Sequence, residues 1–522
     1  MNRTERSIKM ILTKKTVQVK NAVVGGSDYT RFIAIAPSSA EDMRCQMKEA
    51  AALGEAGIEI QVGNLANIGD ALVVLKECKD DMAGQAVILN LDTTGCDAAA
   101  SDDEKLKAAE EAAKAGIVDI IGAEAFASET YVAAMKKITV ESGVKLMLSY
   151  INFDGIASED EIIHTAKAAE TKGADMVYLA YMTKNDPDVI VLGYAAKKIA
   201  ADNLISVPAC IFPMGEVGFQ TRILSERCGN NFGFYHLAEP ESGLFESYAQ
   251  YQAMHEIYGG CEKIQSKVQF NMGEKHVMGG KRFIRCFMLK ERTKNDILEA
   301  ARNVARYNPE MVEWRVDYCL PMDSSKFTED YWKNTLKEIK EILPDVPMLM
   351  TFRVKKEGGK TWYPDALRLK MACALVGTGL VEYCDCEIDN DIDYINTLKD
   401  ACVKSDTKFV VSQHKWTETP GNEEIAATFR ECVEKGADLP KFYLMATNYD
   451  DAVRTSVVTK KLREEELDMP IIICAMGDTG LITRTLGGCM GADFEFIDVT
   501  GIKGGEEEDV RYVDQLAEIF EY

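Results

Sequence analysis

The chain has 522 residues, too many for one hydrophobic core, and its length predicts two or three domains. Its 47% apolar and 28% charged content is that of an ordinary soluble globular protein, and a formal charge of −24 argues against nucleic acid or an anionic membrane as partner. A small anionic metabolite is not excluded, because it senses the local field of a pocket rather than the total. No stretch approaches the roughly 18 apolar residues of a membrane span, and the basic start MNRTERSIKMILTKK lacks an apolar core, so a cytoplasmic protein is expected. Fifteen cysteines are scattered through apolar runs with no CxxC pair, which suits reduced core residues. Cys384-Asp385-Cys386 lies along a strand with no histidine near in sequence, and no metal site is expected there.

In chain order, β-rich apolar runs recur at 31–37, 57–63, 86–92, 117–123, 145–152, 175–182, 207–214 and 232–237. A second set follows at 282–289, 311–317, 347–354, 380–388, 407–414, 440–447, 470–476 and 492–499. Amphipathic, alanine- and lysine-rich segments separate them. Two rounds of alternating strand and helix, with nearly continuous apolar strands, predict an α/β protein of two tandem (β/α)8 TIM barrels. A doubly wound open sheet is the alternative, but the glycine fingerprint that often follows its first strand is absent. The expected domains are a first barrel at 1–245, a linker helix at 246–264 and a second barrel at 265–522. The halves are copies: ETKGADMVYLAYMTKNDPD (170–188) lies over VEKGADLPKFYLMATNYDD (433–451), and PMGEVGFQTR (213–222) over AMGDTGLITR (475–484), at nearly one offset.

Chemistry is concentrated at 408–449. One strand ends in Ser412-Gln413-His414, and about one helix later the next strand opens with Lys441. A lysine and a histidine on consecutive strands of a βαβ unit are what Schiff-base catalysis on a carbonyl needs: the lysine supplies the amine and the histidine moves protons. Imine formation needs the neutral amine, which burial and nearby arginines favour. Glu313 and Arg315 share one face of their strand, Arg353 follows the next strand, and Arg484 lies in a glycine-rich turn where a guanidinium can grip a carboxylate.

The strings EWRVD (313–317), TFRVKKEGG (351–359), SQHKWTETP (412–420), ADLPKFYLMA (437–446) and MGDTGLITRTLGGCMGADFEF (476–496) together resemble the type I 3-dehydroquinate dehydratase family over about 270–510. That family is a (β/α)8 barrel of the shikimate pathway that dehydrates 3-dehydroquinate to 3-dehydroshikimate through a lysine imine. The resemblance implies Lys441 as the imine lysine, His414 as the proton carrier and Glu357 as the group that orients it. Glu313, Arg315 and Arg353 would hold substrate hydroxyls, Arg484 would hold the carboxylate, and no cofactor or metal is required. A homodimer is left open. One departure stands out. The family's serine- and glutamine-bearing final loop is replaced by VTGIKGGEEEDV (499–510), where Lys503 is expected to supply a counter-charge and Glu506, Glu507 and Glu508 would repel a carboxylate.

Aligned on the repeat, the first half is a disabled copy. Ile151 stands at His414, Tyr178 at Lys441, Gln61 and Gly63 at Arg315 and Asp317, and Asp92 at Arg353, while Arg222 keeps the identity of Arg484. A structural or regulatory role, or a different ligand held by Arg222 and Tyr178, is left open. Competing readings of the whole chain are another Schiff-base barrel such as an aldolase, and a non-catalytic binding protein with an altered final loop.

Overall fold

The computed structural model describes residues 15–498, apart from 27, 79–80, 83, 97–99, 241, 261, 274–275 and 320–327, together with 515–516 and 518–520. The chain divides into two units, Met1–Gln252 with Gln515–Tyr522, and Ala253–Asp514. In the first, a hairpin of β1 (Val17–Val19) and β2 (Ala22–Val24) precedes eight strands: β3 (Thr30–Ile35), β4 (Gly57–Gln61), β5 (Ala86–Asn90), β6 (Ile120–Glu124), β7 (Lys145–Asn152), β8 (Met176–Met182), β9 (Ala209–Met214) and β10 (Phe232–His236). The second repeats the plan with a hairpin β11 (Phe270–Met272) and β12 (His276–Met278). Its strands are β13 (Ile284–Leu289), β14 (Met311–Arg315), β15 (Met348–Thr351), β16 (Tyr383–Glu387), β17 (Lys408–His414), β18 (Leu439–Met445), β19 (Ile472–Met476) and β20 (Phe494–Asp498).

Within each eight-stranded sheet every ladder is parallel and neighbours follow chain order, with the last strand returning beside the first. The remaining seam is stitched partly by side chains. Asn231 donates its backbone N–H to Ala209 O at 3.0 Å, and its side-chain oxygen accepts from Ala209 N at 3.1 Å. In the second unit Asp493 does both jobs against Ile471, at 2.9 and 2.8 Å. Each sheet is a nearly closed barrel, and the open doubly wound alternative is ruled out by strand order. Expected and observed strands agree to within a few residues.

The hairpins are not among the sequence expectations. Their strands are three residues long, too short for a period-2 signal, although TVQVKNAVVGG (16–26) and KVQFNMGEKHVMGG (267–280) echo each other. Val17, Val19 and Val24 pack with Phe32, Ala86, Ile120 and Met176 from the early part of the barrel strands, and Met272 and Met278 do so with Ile284, Met311, Tyr383 and Leu439. Each hairpin therefore plugs the N-terminal end of its barrel, and each buried Val or Met stabilises it by about 1.5–3 kcal/mol. The opposite, C-terminal end is left as the mouth.

The last described residues belong with the first unit. Leu516, Ile519 and Phe520 are buried, Tyr194 donates its hydroxyl to Glu518 at 2.6 Å, and Lys197 donates to Glu518 O at 2.7 Å. Gly193 on the helix Asp186–Ala201 is a close-approach site, since a Cβ there would lie 2.8 Å from Ile519 Cδ1. Among the described residues no helix is long and apolar enough to cross a membrane.

Candidate active site

Parallel register sets the site of the second unit. On β18, Lys441 lies opposite Ser412, and two residues on Tyr443 lies opposite His414. Period-2 alternation turns both Lys441 and Tyr443 into the barrel. Lys441 is 2% exposed, with Nζ 3.1 Å from Asp385 Oδ2, 4.4 Å from the Phe496 ring centre and 5.5 Å from that of Tyr443.

Asp385, in the middle of β16, ties this lysine to the rest of the site. Its Oδ2 also accepts from Arg353 Nη2 at 2.8 Å, and its Oδ1 from Ser412 Oγ at 2.6 Å. Burial alone would raise its pKa, but Arg353, Lys441 and the Ser412 hydroxyl outweigh burial and bring it to about 2. Arg353 also donates through Nη1 to Ser412 Oγ at 2.8 Å and to Glu387 Oε1 at 3.2 Å. Burial works against its charge, but Asp385, Glu387, Glu357 and Glu313 around it keep the guanidinium firmly protonated. Arg353, expected as a ligand for substrate hydroxyls, is a buried hub that hydrogen-bonds two acids and a serine and lies 4.0 Å from a third acid, Glu357.

His414 ends β17. Its Nδ1 lies 3.0 Å from Glu357 Oε2, and its ring stacks on Trp416 with 5.6 Å between centres and 11° between planes. Trp416 in turn covers Gly358, whose φ of +87° and whose missing Cβ, which would fall 2.7 Å from the indole, both require glycine. Burial first, then Arg353, Lys441 and Arg315, push the His414 pKa well below its usual 6.5. Burial, with Glu387, Asp385 and Asp389, pushes Glu357 up to about 8 against the pull of Arg353. Both shifts have one sense: separated charge on this pair is disfavoured in the resting site.

Glu313 Oε1 accepts from Thr351 Oγ1 at 2.6 Å. Arg315 forks onto Asp317, Nε–Oδ1 2.9 Å and Nη2–Oδ2 3.0 Å, and lies over the Tyr318 ring at 5.0 Å. Arg484, on the short helix Leu481–Thr485 after β19, donates through Nη2 to Phe496 O at 3.3 Å. Lys503 lies outside the described residues. Asp385, Ser412, Glu387, Tyr443, Trp416 and Phe496 were not singled out from the sequence. The available signals were two acids two residues apart inside an otherwise apolar strand, EYCDCEI (382–388), and an inward tyrosine two places beyond the lysine.

The profile of the family described as Type I 3-dehydroquinase matches residues 31–260 and, a second time, 285–502. The chain belongs to the type I 3-dehydroquinase family. The 3-dehydroquinate dehydratase of Alkaliphilus oremlandii is 32% identical over 213 residues, 40% of this chain and 81% of that one. That of Bacillus licheniformis is 30% identical over 211 residues, 40% and 82% of the two chains. Among solved structures, type I 3-dehydroquinate dehydratase from Clostridium difficile, with covalently modified comenic acid, is 26% identical and covers 48% of this chain and 98% of its own, with a TM-score of 0.44.

The first dehydroquinase-type barrel keeps much of the frame around its mouth and differs at the inward lysine, histidine, aspartate and arginine. Ser149 lies opposite Tyr178 as Ser412 lies opposite Lys441, and Gly122 opposite Asn90 as Asp385 lies opposite Thr351. Asn90 donates to Glu59 at 2.9 Å, matching Thr351 and Glu313, and Lys105 pairs with Glu124 where Arg368 meets Glu387. The amine, the imidazole, the aspartate and the hub arginine have become Tyr178, Ile151, Gly122 and Asp92. Arg222 is fully buried and committed: Nε donates to Glu246 at 2.7 Å, and Nη1 to Pro213 O and Gly215 O at 2.9 and 2.6 Å. A carboxylate from the chain itself meets this guanidinium, so the prospect of Arg222 gripping a separate ligand loses its basis. Burial raises Glu59 to about 7 and also raises Asp92.

Proposed function

We propose that the second barrel dehydrates 3-dehydroquinate to 3-dehydroshikimate through an imine on Lys441, with His414 moving the protons, and that the first barrel has no such activity. The observation that carries this reading is the placement of Lys441 and His414 one inward position apart on adjacent strands, linked through Asp385, Arg353 and Glu357, where the first barrel has Tyr178 and Ile151.

The chemistry follows from that geometry. The Lys441 ammonium passes a proton to the neutral His414, the freed amine adds to the substrate ketone, and the same proton returns to the carbinolamine hydroxyl, which leaves as water to give an iminium. This cation sits where the ammonium sat, beside Asp385 and over the Phe496 ring, so its stabilising charges are already in place. The iminium acidifies the adjacent carbon, and His414, neutral in the resting site, is suited to take that proton. The imidazolium so formed protonates the departing β-hydroxyl, and hydrolysis of the product imine returns Lys441. Glu357 stabilises the imidazolium through Nδ1. Arg484 is proposed to hold the substrate carboxylate at the mouth, and the iminium is the only electron sink the reaction needs.

Borohydride added during turnover should reduce the imine and leave one adduct per chain, on Lys441. Turnover without an adduct, or an adduct on another lysine, refutes the assignment. Turnover by a chain carrying Lys441→Ala would place activity in the first barrel.

A further inference from the structure

Tyr443 stands inside the mouth of the second barrel without a place in the mechanism above. Its ring faces His414 across one strand pair, with 5.7 Å between centres, and Phe496 on the other side, at 5.6 Å. Lys441 Nζ lies 5.5 Å from its centre. In register it is paired on one flank with His414 of β17 and on the other with Cys474 of β19. Arg484 follows β19 directly and is bonded to the carbonyl of Phe496, whose ring packs on Tyr443. The tyrosine therefore stands between the proton carrier and the phenylalanine whose carbonyl holds the expected carboxylate anchor.

We propose that Tyr443 is a substrate-binding and specificity-determining residue, its ring forming the wall against which the substrate lies and its hydroxyl donating a second hydrogen bond to the carboxylate held by Arg484. The assignment rests on the reading of the reaction given above. Two features of the hydroxyl favour it. Its register neighbour on β19 is Cys474, and a thiol is at best a weak acceptor, so a stronger acceptor entering the site would draw the hydroxyl proton at little cost. Burial raises the Tyr443 pKa well above its usual value despite the opposing pull of Arg484, so the phenol stays a donor throughout the neutral range. A donor here also suits the sequence of the final loop, 499–510, which contains neither serine nor glutamine.

Tyr443→Phe keeps the ring and removes only the hydroxyl, which separates binding from folding. In the full chain with 3-dehydroquinate, the variant should raise KM by about 10-fold or more, the range for a hydrogen bond to a charged group, with kcat changed far less. Combined with Arg484→Ala, the two effects should be less than multiplicative, because both act on one carboxylate. A ring ketone of the same size lacking the carboxylate should form the borohydride-trapped adduct equally well in wild type and Tyr443→Phe. An unchanged KM for Tyr443→Phe, or an equal loss on the ketone without a carboxylate, overturns the Tyr443 assignment alone. A wild-type chain that neither turns over nor forms an adduct overturns the reading of the reaction, and this role with it.

Discussion

The contact between Glu357 Oε2 and His414 Nδ1, 3.0 Å long, fixes how activity depends on pH. His414 can act as a base only if one ring nitrogen is unprotonated and faces the substrate. With Glu357 ionised, the carboxylate accepts the Nδ1 proton and Nε2 is left free. With Glu357 protonated, its own proton occupies Nδ1 and the ring hydrogen moves to Nε2, which removes the base. Glu357 is held up at about 8, and the imidazole stays uncharged because its own pKa is pushed well below 6.5. The competent form is therefore lost as pH falls through about 8, and kcat/KM should drop about tenfold for each further unit, reaching roughly 100-fold at pH 6. Glu357→Gln keeps an oxygen that can accept from Nδ1 but cannot titrate. Its profile should be flat from pH 7 to 9. Its plateau should lie about 10- to 150-fold below that of the wild type, because the imidazolium formed in the reaction loses a charged partner worth about 1.5–3 kcal/mol. The assay is the appearance of enone absorbance across pH 6–10 for both proteins. A wild-type profile that is flat over this range, or a Gln variant that keeps the limb near 8, would show that another group controls the proton.

His414→Ala should still allow the trapped imine to form while slowing elimination by about 10²–10⁴-fold, and a near-normal rate would move the proton-transfer role elsewhere. Asp385→Asn leaves Lys441 and Arg353 without their shared counter-ion. Both trapping and kcat/KM should fall, by about 10²-fold or more, given the roughly 3–5 kcal/mol lost on breaking a buried pair; equal trapping in the two proteins would contradict this. Arg222→Ala strands the buried Glu246 carboxylate, so the first unfolding transition in urea should be weakened by about 3–5 kcal/mol. An unshifted transition would mean that this ion pair does not hold the first barrel together.

The sequence displays what repeats with a period. Sixteen barrel strands were readable because each is a nearly continuous apolar run, and Lys441 and His414 stood out because an amine and an imidazole interrupt such runs. The hairpins were not, since three-residue strands offer no period and owe their existence to the barrel end they cover. Asp385 was hidden because its neighbours Cys384 and Cys386 make the stretch read as small core residues, whereas alternation sends the cysteines outward and the acid inward. The place of Arg353 was also beyond the sequence. Its partners, Asp385 and Glu387 on β16 and Ser412 on β17, are brought together only by the fold, and no local pattern around Arg353 announces them. For Arg222 the deciding partner, Glu246, comes from the loop after β10, and nothing in the matching turn sequences distinguishes it from Arg484.

The helix fragment at 515–520 has a consequence for how the molecule is made. Its apolar side chains, Leu516, Ile519 and Phe520, are buried on the unit that begins the chain, while everything from 253 to 514 belongs to the other. Translation therefore delivers the first barrel in two instalments. At about 5–20 residues per second, roughly 14–56 s separate the exit of its eighth strand from the arrival of the piece that seats on Gly193. Throughout that interval the nascent first barrel presents an apolar seat on the helix Asp186–Ala201, open to chaperones or to the tail of a neighbouring chain on the same messenger. Exchange of this short tail between copies is the misassembly that such an order of synthesis invites.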